Sequence, residues 1–350
     1  MINKMIDLKN WENKNILVTG HTGFKGSWMS CILKKFNSKI YGLSDNKICS
    51  DNYKTLKRED IFEEEYEFDI CNELDDIKQL NSIEFDYIFH FAAQGLVSQA
   101  SKYPKNTILS NILGTYNILE FANKQKSLKG ITLATTDKVY LHTDSNNTED
   151  SQLGGLEFYS ASKASAEFII SAFNNTRKNE NFYTTVIRSG NVLGGGDGAI
   201  DRIVTDIVNS LKHDKKIILR NPESIRPWQH VLDSLWGYLL ATEYSVNNFK
   251  NSIFNLNSES NNKFTVEYLA KKIIEEWGES LDNLLFEKQN SFYETNVLRI
   301  NSQKAINLLS WKTLYEIDEI AKLIVNWEKA SLNNENITLK QIDDYFNLIF

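Results

Sequence analysis

Asn15-Ile16-Leu17-Val18-Thr19-Gly20-His21-Thr22-Gly23-Phe24-Lys25-Gly26-Ser27-Trp28 is the stretch that decides the fold. Its first five residues form a short apolar run suited to a buried strand, and a helical pattern follows from Ser27 to Phe36. Between them, glycines at 20, 23 and 26 give G-x-x-G-x-x-G at a strand-to-helix junction. A turn this tight, with a backbone this bare, lets a pyrophosphate approach the free N–H groups and positive partial charge of a helix N-terminus. Gly20, Thr22, Gly23, Phe24, Lys25 and Gly26 are therefore candidate cofactor contacts.

Working outward, the pattern repeats as strand and helix. Lys39 to Leu43 reads as a second strand, Tyr66 to Asp69 as the end of a third, Asp86 to Phe91 as a fourth, Ile131 to Thr135 as a fifth and Thr185 to Arg188 as a sixth. Helical patterns fill Thr107 to Lys124 and Ser160 to Lys178. Such alternation predicts an α/β protein, a Rossmann-type doubly wound parallel sheet covered on both faces. After Gly194 the pattern changes to a glycine-rich loop, a helix over Arg202 to Lys212 and a strand over Lys216 to Arg220. The expected organisation is a dinucleotide domain over 1–190 and a smaller mixed α/β substrate-binding lobe over 191–350, with an interleaved boundary. A length of 350 residues suits two lobes.

The net charge of −7 argues against nucleic acid as the partner, although local arginines still suit a nucleotide ligand. Three cysteines without C-x-x-C spacing suggest neither a disulfide framework nor a zinc site, and no metal is expected. The polar N-terminal stretch and the lack of a long apolar run predict a cytoplasmic protein without a membrane span.

The second strand ends at Asp45, where a carboxylate can accept hydrogen bonds from an adenosine ribose and favour NAD over NADP; the other reading is a solvated loop acid. Asp69 and Ile70 follow the third strand, where they can meet the adenine. Ala92, Ala93 and Gln94 close the fourth with small residues that let a cofactor lie against the backbone.

Tyr159-Ser160-Ala161-Ser162-Lys163 puts a phenol and an amine on one helix face. An ammonium beside the Tyr159 hydroxyl would stabilise the phenolate, and a lowering by about 3 units corresponds to roughly 4 kcal/mol. Lys163 can also hold the nicotinamide ribose. Thr136, at the end of the fifth strand, offers a hydroxyl to orient the proton.

Together these features resemble the extended short-chain dehydrogenase/reductase family of NAD-dependent sugar-nucleotide enzymes along almost the whole chain. Three stretches are similar to those of its CDP-glucose 4,6-dehydratases: TGHTGFKGSW at Thr19 to Trp28, RSGNVLGGGD at Arg188 to Asp197, and LRNPESIRPWQHVLDSLWGYL at Leu219 to Leu239. Asp137-Lys138 looks like that group's Asp-Lys pair. The resemblance implies 4,6-dehydration of a CDP-hexose, with Tyr159 and Lys163 handling hydride chemistry, Asp137 protonating the departing C6 hydroxyl and neutral Lys138 accepting the C5 proton. It implies substrate contacts at Asn191, Arg202, Arg220, Asn221, Arg226 and His230, beside Trp228. Arginine suits a diphosphate because its donors are planar and permanently charged. Such enzymes dimerise through the Thr107 to Lys124 and Ser160 to Lys178 helices, so a homodimer or a dimer of dimers is expected.

The chain also departs from that pattern. Gly95 and Ser98 stand where relatives carry Pro and Arg; Leu141 to Asp150 is polar where they are tryptophan-rich; and Tyr293 to Leu298 replaces H-E-A-x-x-L. These changes cluster at the expected hexose pocket and leave open a different or modified CDP-hexose. A 4-epimerase and a catalytically silent nucleotide-binding protein are the other readings. The Asp137-Lys138 pair opposes the first, and the intact set of Thr136, Asp137, Lys138, Tyr159 and Lys163 opposes the second.

Overall fold

A computed structural model describes residues 8–142, 145–261, 263–287 and 299–350. Six strands, β1 (Asn15–Thr19), β2 (Lys39–Ser44), β3 (Phe62–Glu67), β4 (Tyr87–His90), β5 (Gly130–Ala134) and β6 (Tyr183–Ser189), form a parallel sheet. Short strands β7 (Val192–Leu193), β8 (Ile217–Leu219) and β9 (Gln229–His230) follow. Then β10 (Ser252–Leu256) returns to pair with β6 as the seventh strand of the main sheet, and β11 (Leu284–Phe286) pairs with β8. The main-sheet order is β10-β6-β5-β4-β1-β2-β3. Fully buried strands such as Ile16, Leu17 and Val18 are what a sheet covered on both faces requires.

The order reverses between β1 and β4, and a crevice at the carboxyl ends of those strands is where doubly wound sheets take their ligands. The glycine turn leaves β1 there, and Ala92 leaves β4. Thr19 and His90 end those two strands in register and share a hydrogen bond of 2.7 Å. Burial pushes His90 down to about 3, which keeps it neutral.

The Phe24–Lys35 helix starts at Gly23, which caps it without a side chain, and Lys34 and Lys35 complement its C-terminal dipole. Its residues from Gly26 to Leu33 are all buried, because it lies between the sheet and the C-terminal helices. One core cluster around Trp28, Phe89, Trp228 and Trp327 fills that face; a second, around Leu17, Ile88, Ile118 and Phe121, fills the other.

The expected Thr107 to Lys124 helix begins earlier, at Pro104, and passes through a π-turn over Leu109–Leu113. Outside the main sheet lie the two short strand pairs and the Ile203–Lys212 and Val266–Trp277 helices. Seven strands rather than six make the sheet, so the chain returns to it at β10 after forming the two short strand pairs' first members.

Candidate active site

Glu157 caps the Phe158–Thr176 helix by accepting from the Tyr159 and Ser160 amides at 2.6 and 2.7 Å, and the Ser160 side chain completes the capping box. That cap fixes where the helix starts, and with it the position of Tyr159. One turn on, the buried Lys163 donates from Nζ to the Ala134 carbonyl oxygen at 2.6 Å. Thr136 caps the short turn Asp137–Val139. Thr136, Asp137, Lys138 and Tyr159 line one cavity of about 400 Å³ at the carboxyl ends of the strands.

The electrostatics differ from the helix-spacing expectation in one respect. Burial pushes the Tyr159 phenol up to about 12, with the hydrogen bond to Thr136 pulling it the other way. The Lys163 ammonium, donating to the Ala134 carbonyl oxygen, does not reverse this rise. Burial also brings Lys163 down to about 8, with Glu167 opposing. Asp137 is 3 % exposed; its Oδ1 accepts from Thr136 at 3.0 Å and lies 3.6 Å from Lys138 Nζ, while its Oδ2 has no hydrogen-bond partner among the described residues.

The glycine turn fits a dinucleotide. A Cβ at Gly26 would lie 2.2 Å from the Gly20 carbonyl oxygen, and Gly20 holds φ +69° with its Cα against the Ala92 backbone. The side chain of Thr22 faces away from the crevice, bonded to Ser44 Oγ at 2.8 Å and to the Ile48 carbonyl. Phe24 is buried, and Lys25 reaches into the cavity. Asp45 and Asp69 come together, bridged by Lys47 at 2.9 and 3.0 Å, and the buried Ile70 packs near Gly114. Ala92 is half-buried and Ala93 exposed at the crevice.

Gln94 uses its amide to close the 94–96 turn and to reach Thr107, while Asn111, inside the π-turn, ties Gln94 to Ser162 through bonds of 2.8 to 3.0 Å. Sequence reading missed Asn111. Its signal is a polar residue within an otherwise apolar helical face.

The same cavity is lined by Asn191, Arg202, Arg220, Asn221, Arg226 and Trp228, with the Arg202 charge acting on both Tyr159 and Lys25. Arg202 pairs with Asp197 at 3.0 Å, and Arg220 lies 3.4 Å from Asp206 and 3.9 Å from Asp201. Burial raises the Asp197 and Asp206 carboxyls while their arginines pull them down. His230 is a correction. It is fully buried outside the cavity, held edge-on against Trp28 and Tyr315, and its Nδ1 caps the Val231–Asn247 helix. Burial pushes it down to about 3, so it is neutral core rather than a base contact.

The GDP-mannose 4,6-dehydratase family profile matches residues 17–324. The chain belongs to that family. It is 33 % identical to the CDP-glucose 4,6-dehydratase of Salmonella typhimurium over 98 % of this chain and 99 % of that one. Among solved structures it is similar to the UDP-glucose 4-epimerase of Thermotoga maritima in complex with UDP-glucose, with a TM-score of 0.78 and 22 % identity over 91 % of this chain and 99 % of the other. It is also similar to the dTDP-glucose 4,6-dehydratase of Bacillus anthracis in complex with NAD, with a TM-score of 0.75 and 22 % identity over 92 % and 98 %. These structures share its fold.

Two of the departures noted in the sequence, Gly95 and Ser98, line the cavity. Ser98 donates to Asp201 at 2.7 Å, and at Gly95 a Cβ would meet nothing nearer than Arg202 at 3.9 Å. The polar loop after Tyr140 is pinned by its own polar groups: the Glu149 carbonyl accepts from Arg188 at 2.8 Å, and the Glu149 carboxylate accepts from the Asn255 amide at 2.8 Å. Thr143, Asp144 and the segment from Tyr293 to Leu298 lie outside the described residues.

Proposed function

We propose that the chain is an NAD-dependent sugar-nucleotide 4,6-dehydratase whose substrate is a CDP-hexose, with CDP-glucose the first to test. The observation that carries this reading is the placement of Asp137 and Lys138 in one cavity with Thr136 and Tyr159, with Lys163 one helical turn behind. An epimerase needs only the phenol and amine. Dehydration also needs a proton removed from C5 and a hydroxyl expelled from C6, hence a further base and acid.

When bound, NAD supplies the hydride acceptor and the positive charge of its nicotinamide. The glycine turn would hold its pyrophosphate, and Asp45 its ribose. Tyr159 would take the proton of the C4 hydroxyl as a phenolate, formed where the cofactor's positive charge offsets the burial that raises the phenol, with Thr136 orienting it. Asp137 protonates the departing C6 hydroxyl through its unpartnered Oδ2, and Lys138, the more exposed of the pair, takes the C5 proton when neutral. Arg202, Arg220 and Arg226 bind the diphosphate end, where incoming phosphates replace Asp197 and Asp206 as anionic partners.

The full-length 33 % relationship supports CDP as the nucleotide. The open rim at Gly95 and Ser98 supports a hexose bulkier than glucose as the second reading. Exposed apolar side chains on the adjacent 104–124 and Phe158–Thr176 helices (Ile108, Leu113, Tyr116 and Phe168) support a homodimer joined there. Among the described residues no helix is long and apolar enough to cross a membrane.

The deciding experiment is product mass spectrometry after incubation with NAD and, separately, CDP-glucose, dTDP-glucose, GDP-mannose and UDP-N-acetylglucosamine. Loss of one water from CDP-glucose alone is the expected result. NAD binding with no dehydration of any of the four would overturn CDP-glucose as substrate.

A further inference from the structure

The cavity holds a second amine that the dehydration chemistry leaves unassigned. Lys25 is the second residue of the Phe24–Lys35 helix, so its backbone belongs to the turn that fits a pyrophosphate. Its side chain runs the other way, lining the same cavity as Thr136, Asp137 and Tyr159. There its Nζ lies 3.5 Å from the Tyr238 hydroxyl and 5.5 Å from the centre of that ring. Arg202 and Lys163 act on it as like charges, Asp137 and Asp197 as opposite ones.

A dinucleotide running from the turn to Tyr159 has its nicotinamide end in the space that this side chain borders. We infer that Lys25 sets a positive charge against the nicotinamide end and so favours the reduced form of the cofactor. The inference rests on the NAD reading above.

In the hydride step, the C4–H bond of the hexose breaks and both its electrons pass with the hydrogen to the nicotinamide ring. The C4 hydroxyl proton goes to Tyr159, a ketone forms, and the ring changes from positive to neutral. A neighbouring cation repels the oxidised ring and not the reduced one, so it shifts this balance toward oxidation of the sugar. A lysine in water stays charged throughout the working range and cannot vary this effect. Burial, reinforced by Arg202 and Lys163, brings the Lys25 amine down to about 7, against the pull of Asp137 and Asp197. The charge is therefore present below that pH and lost above it.

The test measures dissociation constants for NAD and NADH on the full-length, cofactor-stripped protein at about pH 6 and about pH 9, on either side of the amine's midpoint. Wild type, Lys25→Met and Lys25→Arg are compared. In the wild type, preference for NADH over NAD is expected to fall about tenfold between the two pH values, the effect of about 1.4 kcal/mol. Lys25→Met should show the weaker preference at both, and Lys25→Arg the stronger preference at both, which separates Lys25 from Lys163.

Equal weakening of both dinucleotides in Lys25→Met, with the wild-type pH response intact, would overturn the inference and leave Lys25 an anchor. If Lys25→Met does not fold, a Lys25→Arg protein that titrates like the wild type would overturn it equally. Failure of the wild type to bind either dinucleotide would overturn the cofactor reading itself.

Discussion

The Thr136 hydroxyl donates to Asp137 Oδ1 at 3.0 Å, and the other carboxylate oxygen is buried with no hydrogen-bond partner among the described residues. One oxygen is thus held by Thr136 while its twin stays uncommitted, the arrangement on which the proposed acid role of Asp137 rests. Lys138 Nζ lies 3.6 Å from the held oxygen.

Replacing Asp137 by Asn preserves the shape and the Thr136 contact but removes the transferable proton. Turnover should fall about a hundredfold to ten-thousandfold, the span of general acid–base contributions. NAD should still bind, since Asp137 does not belong to the pyrophosphate turn. Product mass spectrometry and a dinucleotide titration on the same preparation check both statements. An unchanged turnover removes Asp137 from the acid role.

Gly26 tests the cofactor cradle. A Cβ there meets the Gly20 carbonyl at 2.2 Å, a backbone atom that cannot rotate away. Gly26→Ala must open the turn, and overpacking of this kind costs about 1–3 kcal/mol. If that strain falls on the bound state, NAD affinity drops about tenfold to a hundredfold. Titration of the stripped protein, with circular dichroism to verify the fold, reads this directly. Native affinity in the variant would mean that the pyrophosphate does not use this turn.

Much of this arrangement is legible in the chain because the signals are local. Asn15–Thr19 is apolar without interruption, the glycines have fixed spacing, and Tyr159 and Lys163 share a helix face by geometry alone. Features set by tertiary packing were not legible. Ser252–Leu256 is five residues of mixed polarity, and only its pairing with β6 makes it a core strand. His230 sits in a stretch rich in nucleotide-binding residue types, yet the folding of the C-terminal helices buries it. The Tyr159 phenol is raised because burial outweighs the spacing argument once Lys163 finds Ala134. Each arginine's acidic partner lies several residues or more away and only the fold brings them together.

A second network supports the site from behind. Arg188 meets Glu167 through Nε at 3.0 and 3.1 Å and through a terminal nitrogen at 2.5 Å, and both side chains are almost fully buried. Thr135, next to Thr136, donates to the same carboxylate at 2.7 Å, and Arg188 also donates to the Tyr140 hydroxyl at 2.9 Å. Removing one partner strands a buried charge, so Glu167→Ala should lower stability by about 3–5 kcal/mol. Replacing both, as Glu167→Met with Arg188→Leu, should recover much of that loss. Denaturant midpoints of the three proteins decide it, and an equally damaged double variant would show that packing, not the stranded charge, dominates.

Asp233 gives the chain a stability term with a definite pH direction. Its carboxylate lies fully buried in the first turn of the Val231–Asn247 helix and accepts from the Leu314 amide at 2.9 Å, the Tyr315 amide at 3.3 Å and the Tyr345 hydroxyl at 3.0 Å. Burial outweighs these bonds and raises it to about 7, against about 3.9 in an unfolded chain. Between about pH 4 and about pH 7 the folded state keeps a proton that the unfolded chain has released, so this term weakens as pH rises through the window and is flat above it. Asp233→Asn keeps one acceptor oxygen for the Leu314 amide and the Tyr345 hydroxyl and cannot ionise. Its Tm relative to the wild type should therefore rise between about pH 5 and about pH 8, by a few degrees or more. Titrations common to both proteins, including those of Lys25 and Lys163, cancel in the difference. Parallel Tm curves across that range would mean that Asp233 does not hold its proton in the fold.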